Sequence, residues 1–155
     1  MKKILSVLFT LIVFGACAFA DDVQEVRAFF NNYVNAANTY SNSVETMYSP
    51  DAKIIRQVVK PDGGLANAYT NTATYVKQMK IGQAGAKLRG YTNSYSNVKI
   101  TNLGGGVYKI DSLRQPKGET YKLKAYMKVK KINGKWLIIE ELMQTKEQIF
   151  LRYAQ

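Results

Sequence analysis

The alternation of side chains in the last third of the chain is the feature that most constrains the fold. Between 121 and 130 apolar side chains alternate with lysines and one tyrosine, so a strand there has one apolar and one basic face. Asn133-Gly134 follows, and this dipeptide is a strong signal for a two-residue hairpin. Glycine-containing turns separate the other strands, and the four predicted strands are 91–103, 107–115, 120–132 and 135–145. A sheet with one apolar face must bury that face against another layer.

A helical period marks the region before this sheet. Apolar residues recur every three or four positions between Val23 and Tyr40, which predicts an amphipathic helix. Asp22 and Glu25 form an acidic variant of a capping box, so we expect this helix to begin at Asp22. The other predicted elements are a short helix at 44–48, a strand at 52–60, and a helix at 70–81 that is ended by Gly82 and Gly85.

The order of these elements indicates an α+β fold, with N-terminal helices packed on one face of a strongly curved, mainly antiparallel β-sheet. Two segments, VETMYSPDA at 44–52 and NGKWLI at 133–138, resemble the nuclear transport factor 2-like superfamily, whose cone-shaped fold is also called cystatin-like. The resemblance covers nearly all of 22–145. Because the superfamily includes enzymes, pocket binders and assembly scaffolds, the resemblance alone assigns no function.

Residues 1–20 have the layout of a signal peptide for export. Two lysines precede an apolar run at 4–16 that is too short to span a bilayer. Ala18-Phe19-Ala20 then supplies small residues at the positions that signal peptidase reads. We expect cleavage after this motif, which leaves one domain of residues 21–155 in the periplasm or outside the cell. The alternative is a lipoprotein, in which Cys17 is lipidated and becomes the first mature residue.

The composition narrows the chemistry that this chain can perform. It has no histidine, and its one cysteine lies in the predicted signal peptide. The commonest general base and the usual ligands of zinc, copper and haem are therefore missing from the mature sequence. The eleven acidic residues are scattered, so we expect no metal or cofactor. The formal net charge of +11 attracts anionic partners.

The basic face of the long strand is one candidate interaction surface. Its lysines are Lys122, Lys124, Lys128 and Lys130. We call them the lysine face, which suits an anionic envelope component or an acidic partner protein, while export argues against nucleic acid. The alternative is that these lysines only keep an exposed sheet soluble and its edges unpaired.

Two adjacent glutamates in the last strand give the sharpest expectation for a site. Because neighbouring side chains of a strand point to opposite faces, one of Glu140 and Glu141 must point towards the helices. A two-residue turn places Glu140 opposite Met127, whereas a bulge in the turn places Glu141 opposite Ala125. A buried carboxylate needs a partner, so it is either a pocket acid that anchors a ligand or half of a structural ion pair. The expected partners are tyrosine hydroxyls, Arg56 and Arg114.

Eleven tyrosines are many for a chain of this size, and they suit a polar pocket with aromatic walls. The resemblance implies that Tyr33, Tyr48, Tyr75 and Tyr108 line the cone. The candidate pocket residues are therefore Tyr33, Tyr48, Arg56, Tyr75, Tyr108, Arg114, Met127 and Glu140. The alternative is that these tyrosines belong to an ordinary core and only their hydroxyls reach the surface.

Three classes of function are compatible with these features. The first is a non-catalytic exported binding or accessory domain whose cone holds a small molecule or a lipid. The second, implied by the resemblance, is a scaffold subunit of an envelope or secretion assembly. The third is an enzyme resembling polyketide cyclases or ketosteroid isomerases, which here would have to use a carboxylate and a tyrosine. The lack of histidine favours the first class over the third.

Overall fold

The structure, a computed structural model, describes residues 2–154 and the side chains of residues 20–154. Apart from Ala20, the predicted signal peptide lies outside the residues whose side chains are described, and so does the side chain of Cys17. In the part of the chain with described side chains, no helix is long and apolar enough to cross a membrane.

A single six-stranded sheet covered on one face by helices forms the framework of residues 2–154. The elements, with η denoting a 3₁₀ helix, are α1 (Lys2–Asn38), η1 (Asn42–Met47), β1 (Tyr48–Val59), β2 (Leu65–Asn71), α2 (Thr72–Leu88), β3 (Asn93–Gly104), β4 (Val107–Pro116), β5 (Leu123–Ile132), β6 (Lys135–Thr145) and η2 (Gln148–Tyr153). The strand order is β2-β1-β6-β5-β4-β3, and only β1 and β6 pair in parallel. The expected α+β fold with a mainly antiparallel sheet is confirmed.

The core lies between α1 and the inner face of the sheet. α1 presents Val26, Phe30 and Tyr33 to the sheet at helical spacing, and all three are buried. The sheet contributes fully buried aliphatic side chains from four of its strands, namely Ile54, Ile110, Val129 and Ile138. The apolar stripe predicted from the helical period is therefore confirmed.

The predicted start of this helix is wrong for the chain described here, because α1 runs through Asp22 without a break. The Asp22 carboxylate does not cap a helix; it accepts a hydrogen bond of 3.1 Å from the Tyr108 hydroxyl. Glu25 accepts a bond of 2.7 Å from Trp136 Nε1 and pairs with Lys131 at 2.6 Å. These acids instead fix α1 to one end of the sheet.

The last hairpin forms as predicted. Asn133 and Gly134 both have positive φ, 48° and 76°, as a type I′ turn requires. Ile132 pairs with Lys135 across the turn. This register holds as far as the pair Val129 and Ile138.

A bulge then changes which glutamate points inward. Lys128 pairs with Glu140 instead of Ile139, so Ile139 is an extra residue in β6. Glu141 consequently lies opposite Met127 on the inner face and is fully buried. The expectation that one of the two glutamates is buried is confirmed. The placement of Glu140 on the inner face is wrong, because the bulge lies within the strand and not in the turn.

The structure adds one strand and lengthens one helix relative to the prediction. β2 is an edge strand that pairs antiparallel with β1, so its alanines and asparagines are extended by that pairing and not by intrinsic propensity. α2 continues to Leu88 through Gly82 and Gly85, which the prediction took as breakers. Glycine inside a helix costs only about 1 kcal/mol relative to alanine, and the packed helix tolerates this.

Candidate functional site

A cavity of about 810 Å³ lies between the C-terminal part of α1, α2 and the inner face of the sheet. One face of α2 forms a wall, since its lining residues 74, 75, 78, 79, 82, 83 and 86 recur at helical spacing. Phe150 and Tyr153 of η2 add to the lining. The volume falls in the range of sites for small organic molecules.

Tyrosine is the main aromatic residue of the cavity wall. Seven of the eleven tyrosines line it, namely Tyr33, Tyr40, Tyr69, Tyr75, Tyr91, Tyr95 and Tyr153. Aliphatic contacts come from Val44, Met79 and Met143. A wall of this kind offers flat apolar surface together with hydroxyl groups that can form hydrogen bonds.

A buried ion pair supports this wall from behind. Arg56 Nη1 donates to Glu141 Oε1 at 2.8 Å. The hydroxyls of Tyr48 and Tyr33 donate to Glu141 Oε2 at 2.5 and 3.4 Å. Arg56 and Tyr33 lie on the cavity wall, whereas Glu141 is fully buried and does not line it. The carboxylate therefore holds wall residues in place instead of facing the cavity.

The electrostatics of this cluster keep its donors protonated. Burial, and then the negative charge of Glu141, raise the pKa of Tyr33 and of Tyr48 well above the ordinary value. Burial lowers the pKa of Arg56, but the electrostatic pull of Tyr75 and Glu141 more than offsets this and raises it overall. The Arg56 guanidinium also lies over the Tyr75 ring, 4.8 Å from its centroid. The positive charge of Arg56 is therefore balanced within the protein.

Arg114 of β4 differs from Arg56 because no acidic side chain of the described residues forms an ion pair with it. It is buried, with 6% of its surface exposed, and it lines the cavity. Nη1 donates to Asn93 Oδ1 at 2.7 Å and to the Tyr91 hydroxyl at 3.1 Å, and Nη2 donates to the Gln144 carbonyl at 2.7 Å. A guanidinium has five N–H groups, and its Nε–H is buried without a partner among the described residues.

Within the part of the chain that the structure describes, no carboxylate lies within 4.0 Å of the Arg114 guanidinium. Arg114 is thus a buried positive charge on the cavity wall that forms no ion pair within the described residues, although Glu45 and Glu147 also line the cavity. A guanidinium in this state is suited to binding an anionic group.

Half of the predicted pocket residues meet at the cavity. Tyr33, Arg56, Tyr75 and Arg114 line it. Tyr48 lies one layer behind, where its hydroxyl contacts Glu141 and its ring meets the Tyr75 ring edge-on at 5.4 Å.

Three predicted pocket residues lie elsewhere. Tyr108 is at the opposite end of the sheet, where its ring contacts Trp136 edge-on at 5.6 Å and its hydroxyl bonds to Asp22 of α1. Met127 is a buried core residue on the inner face. Glu140 is on the outer face, bonded to the Tyr126 hydroxyl at 2.6 Å and to Lys128 at 3.0 Å.

The lysine face has the predicted alternation. Lys122, Lys124 and Lys130 are exposed, while Lys128 is half-buried and pairs with Glu140. Its charge is therefore lower than the sequence implied, and binding of an anionic partner there stays a prediction.

Sequence reasoning missed Tyr91 and Asn93, the two side chains that hold Arg114. The Asn38 side chain of α1 donates to the Asn93 carbonyl at 2.8 Å and accepts from the Asn93 N–H at 2.9 Å. This amide contact joins the end of α1 to the start of β3 and brings Tyr91 to the cavity. The contact joins residues that are 55 positions apart in the sequence, and the local sequence pattern does not predict it.

No group of three or more metal-ligating side chains is found among the residues with described side chains.

The comparisons with known proteins identify the fold. No family model and no curated protein matches the sequence. A nuclear transport factor 2-like protein with a cystatin-like fold from Novosphingobium aromaticivorans has a TM-score of 0.63 at 11% identity, with 87% of this chain and 88% of that chain covered. A domain of unknown function with a cystatin-like fold from Nostoc punctiforme has a TM-score of 0.60 at 16% identity, with 85% and 84% covered.

Some similar structures carry names that suggest enzymes. A candidate scytalone dehydratase from Novosphingobium aromaticivorans has a TM-score of 0.60 at 15% identity, with 80% of this chain and 83% of that chain covered. Identities this low establish shared architecture and not shared chemistry. This chain therefore has the nuclear transport factor 2-like, cystatin-like fold.

Proposed function

We propose that the protein is a binding domain whose cavity holds a small organic acid with an aromatic or acyl body. The observation that carries this proposal is the buried charge of Arg114, which lines the cavity and has no acidic partner among the residues with described side chains. A buried N–H without a hydrogen bond costs about 1–3 kcal/mol. A carboxylate or sulfonate group in the cavity would neutralise the charge of the Arg114 guanidinium. Bonding to the Nε–H as well requires a small movement of the guanidinium, because that atom is buried.

The remainder of the wall supports the same ligand class. Seven tyrosine rings, with Met79 and Met143, offer apolar area to the body of a ligand. The charge of Arg56 is already balanced by Glu141 at 2.8 Å, which leaves Arg114 as the buried cation of the wall without an ion pair among the described residues. A ligand with one acidic end and one apolar end matches this division of the wall.

A binding role is favoured over catalysis by the state of Glu141. A general base must come within hydrogen-bond reach of the proton that it removes. Glu141 accepts bonds from Arg56, Tyr48 and Tyr33 and does not line the cavity.

Two similar structures are named as a candidate scytalone dehydratase and a candidate aromatic ring hydroxylase. Two carboxylates do line the cavity, Glu45 and Glu147. Glu45 is paired with Lys80 at 3.1 Å, so a comparable activity of this chain would have to use the exposed Glu147.

Two fluorescent probes with a similar aromatic body test the proposal. 1-Anilinonaphthalene-8-sulfonate is an anion, and N-phenyl-1-naphthylamine is the corresponding molecule without the sulfonate. We expect the wild-type protein to bind the anion more tightly than the neutral probe. Arg114→Gln should weaken binding of the anion by roughly ten- to a hundredfold, since a hydrogen bond to a charged group contributes about 1.5–3 kcal/mol. It should leave binding of the neutral probe nearly unchanged.

Arg27→Gln is the matched control, because Arg27 is an exposed arginine on α1 that does not line the cavity. It removes the same charge and should leave both affinities unchanged. Equal weakening by the two substitutions would mean that the anion responds to overall charge. An unchanged affinity in Arg114→Gln would contradict the proposal.

We also propose that the domain acts after export, as residues 21–155 in the periplasm or outside the cell. The basis is the signal-like sequence of residues 1–20. Intact mass of the protein recovered from its natural source should give a chain that starts at Asp21. A lipidated chain that starts at Cys17 would support the lipoprotein alternative.

A further inference from the structure

The outward face of α2 is apolar and basic, and no other part of the described chain covers it. Ile81 and Leu88 are 75% and 89% exposed, which makes them the two most exposed large apolar side chains of the described residues. Ala84 is exposed between them. Spacings of three and four residues place the three on one side of the helix, opposite the side that lines the cavity.

The charges of this helix all have the same sign. α2 contains Lys77, Lys80 and Lys87 and no acidic residue, and Arg89 follows as its C-cap. Lys80 pairs with Glu45 at 3.1 Å, whereas Lys77 and Lys87 are exposed and form no ion pair within the described residues. An apolar stripe flanked by lysines is complementary to an anionic lipid surface, where the stripe enters the interface and the lysines meet the phosphates.

The C-terminal end of the stripe is next to residues of the cavity wall. Leu88 is followed by Arg89 and Tyr91, which both line the cavity, and Tyr91 is 42% exposed. A surface at this position would bring the cavity next to whatever the stripe contacts.

We propose that the outward face of α2, with Lys77, Ile81, Ala84, Lys87 and Leu88, is a docking surface for an anionic lipid bilayer. The face binds weakly and reversibly, because the apolar stripe is short and the lysines act through the surface potential of the lipid. This docking does not depend on whether the cavity holds a ligand. It differs from the lysine face, which lies on the outer side of the sheet.

Tryptophan reporters locate the contact. Leu88→Trp is compared with Leu103→Trp, since Leu103 is 50% exposed and lies at the far end of β3. Each variant is mixed with vesicles of equal amounts of phosphatidylcholine and phosphatidylglycerol, and with vesicles of phosphatidylcholine alone. We expect a blue shift of the emission only for Leu88→Trp and only with the anionic vesicles. Both reporters are combined with Trp136→Phe, which removes the emission of the native tryptophan. Because the remaining reporter is local, binding through the N-terminal segment does not produce this shift.

Charge reversal provides the second measurement. Lys77→Glu and Lys87→Glu should each weaken co-sedimentation of the Leu88→Trp protein with anionic vesicles by about fivefold or more, as expected for a lysine near a charged lipid surface. Lys124→Glu, an exposed lysine of the lysine face, should weaken it clearly less. Circular dichroism establishes that each variant is folded.

Three results would overturn the proposal. One is an unshifted Leu88→Trp emission, which is also expected if the stripe docks on an acidic protein. Another is an equal shift with neutral vesicles, which would show that the lysines are not involved. The third is a larger effect of Lys124→Glu than of Lys77→Glu, which would assign the contact to the lysine face.

Discussion

Substitution of Glu141 by glutamine tests the ion pair that holds the cavity wall. Glu141 is fully buried and accepts hydrogen bonds from Arg56, Tyr48 and Tyr33. Glutamine keeps the shape and one acceptor oxygen, but it removes the charge and directs an amide NH₂ at groups that are themselves donors. Arg56 is then left as a charge without a partner.

The magnitude follows from the burial of the two groups. Removing one partner of a buried ion pair costs about 3–5 kcal/mol. The Arg56 side chain is 13% exposed at the cavity wall, where water can reach it, so we expect the lower end of this range. Glu141→Gln should therefore lower the free energy of unfolding by about 3 kcal/mol. With a urea m-value near 2 kcal/mol/M, the midpoint should fall by about 1.5 M.

Glu140→Gln is the matched control, because it makes the same change at the next residue of the same strand. Glu140 is half-buried and bonds to Lys128 and Tyr126 on the outer face. A pair of this kind contributes at most about 1 kcal/mol. Urea titrations of the two variants that give equal, small losses would refute the claim that Glu141 is paired inside the protein.

A double substitution separates the pair from general damage to the core. If Glu141 and Arg56 act as a pair, Arg56→Met combined with Glu141→Gln should lose less stability than the sum of the single changes. Additive losses would mean that the two side chains do not interact.

Three further predictions concern other parts of the molecule. The pKa values of Tyr33 and Tyr48 are raised in the folded protein, while an unfolded tyrosine titrates near 10. Their contribution to stability is therefore complete below about pH 10, and it falls above that pH by up to about 1.4 kcal/mol per pH unit for each tyrosine. Urea midpoints measured between about pH 9 and 11.5 should consequently fall less steeply in the double variant Tyr33→Phe/Tyr48→Phe than in the wild-type protein. Gly82→Ala should stabilise the protein by about 0.5–1 kcal/mol, because a Cβ at Gly82 meets nothing within 4 Å. A loss of stability in thermal unfolding would contradict a helix through this position. Gly134→Ala should destabilise the protein in the same assay, because Gly134 has φ of 76°, and an unchanged melting temperature would show that the type I′ turn does not form.

The sequence was sufficient to predict the structure in regions where the local residue pattern agrees with the tertiary contacts. The helical stripe of Val26, Phe30 and Tyr33 is buried as its spacing predicts. The Asn133-Gly134 turn fixes the register of β5 and β6 near the hairpin. In these regions the residues whose pattern predicts the local structure are also the residues that form its tertiary contacts.

The misplaced elements depend on contacts between distant residues. β2 is extended because β1 lies beside it, although its alanines and asparagines favour strands little. The bulge at Ile139 reversed the inward position from Glu140 to Glu141, and the residues around it carry no glycine or proline that would mark it. A one-residue change of this kind moves every following side chain to the other face of the sheet.

In the candidate site, too, features set by local pattern were predictable and features set by distant contacts were not. The expectation of an inward carboxylate with an arginine and tyrosine hydroxyls followed from strand alternation and the cost of burying a charge, and Glu141 with Arg56 and Tyr48 meets it. The surroundings of Arg114 were not predictable, because Tyr91, Asn93 and Gln144 come from three separate parts of the chain. Only the fold brings them together.

The most direct test of the proposed function observes the free N–H of Arg114. The chain has only five arginines, so the arginine Nε–H region of a ¹⁵N–¹H spectrum is sparse, and Arg114→Gln assigns the signal. On titration with 1-anilinonaphthalene-8-sulfonate, the Arg114 Nε–H signal should shift over the same concentrations that give the fluorescence isotherm, while the signal of exposed Arg27 stays in place. A fluorescence isotherm that reaches saturation while the Arg114 signal does not move would contradict the claim that Arg114 binds the anionic group in the cavity.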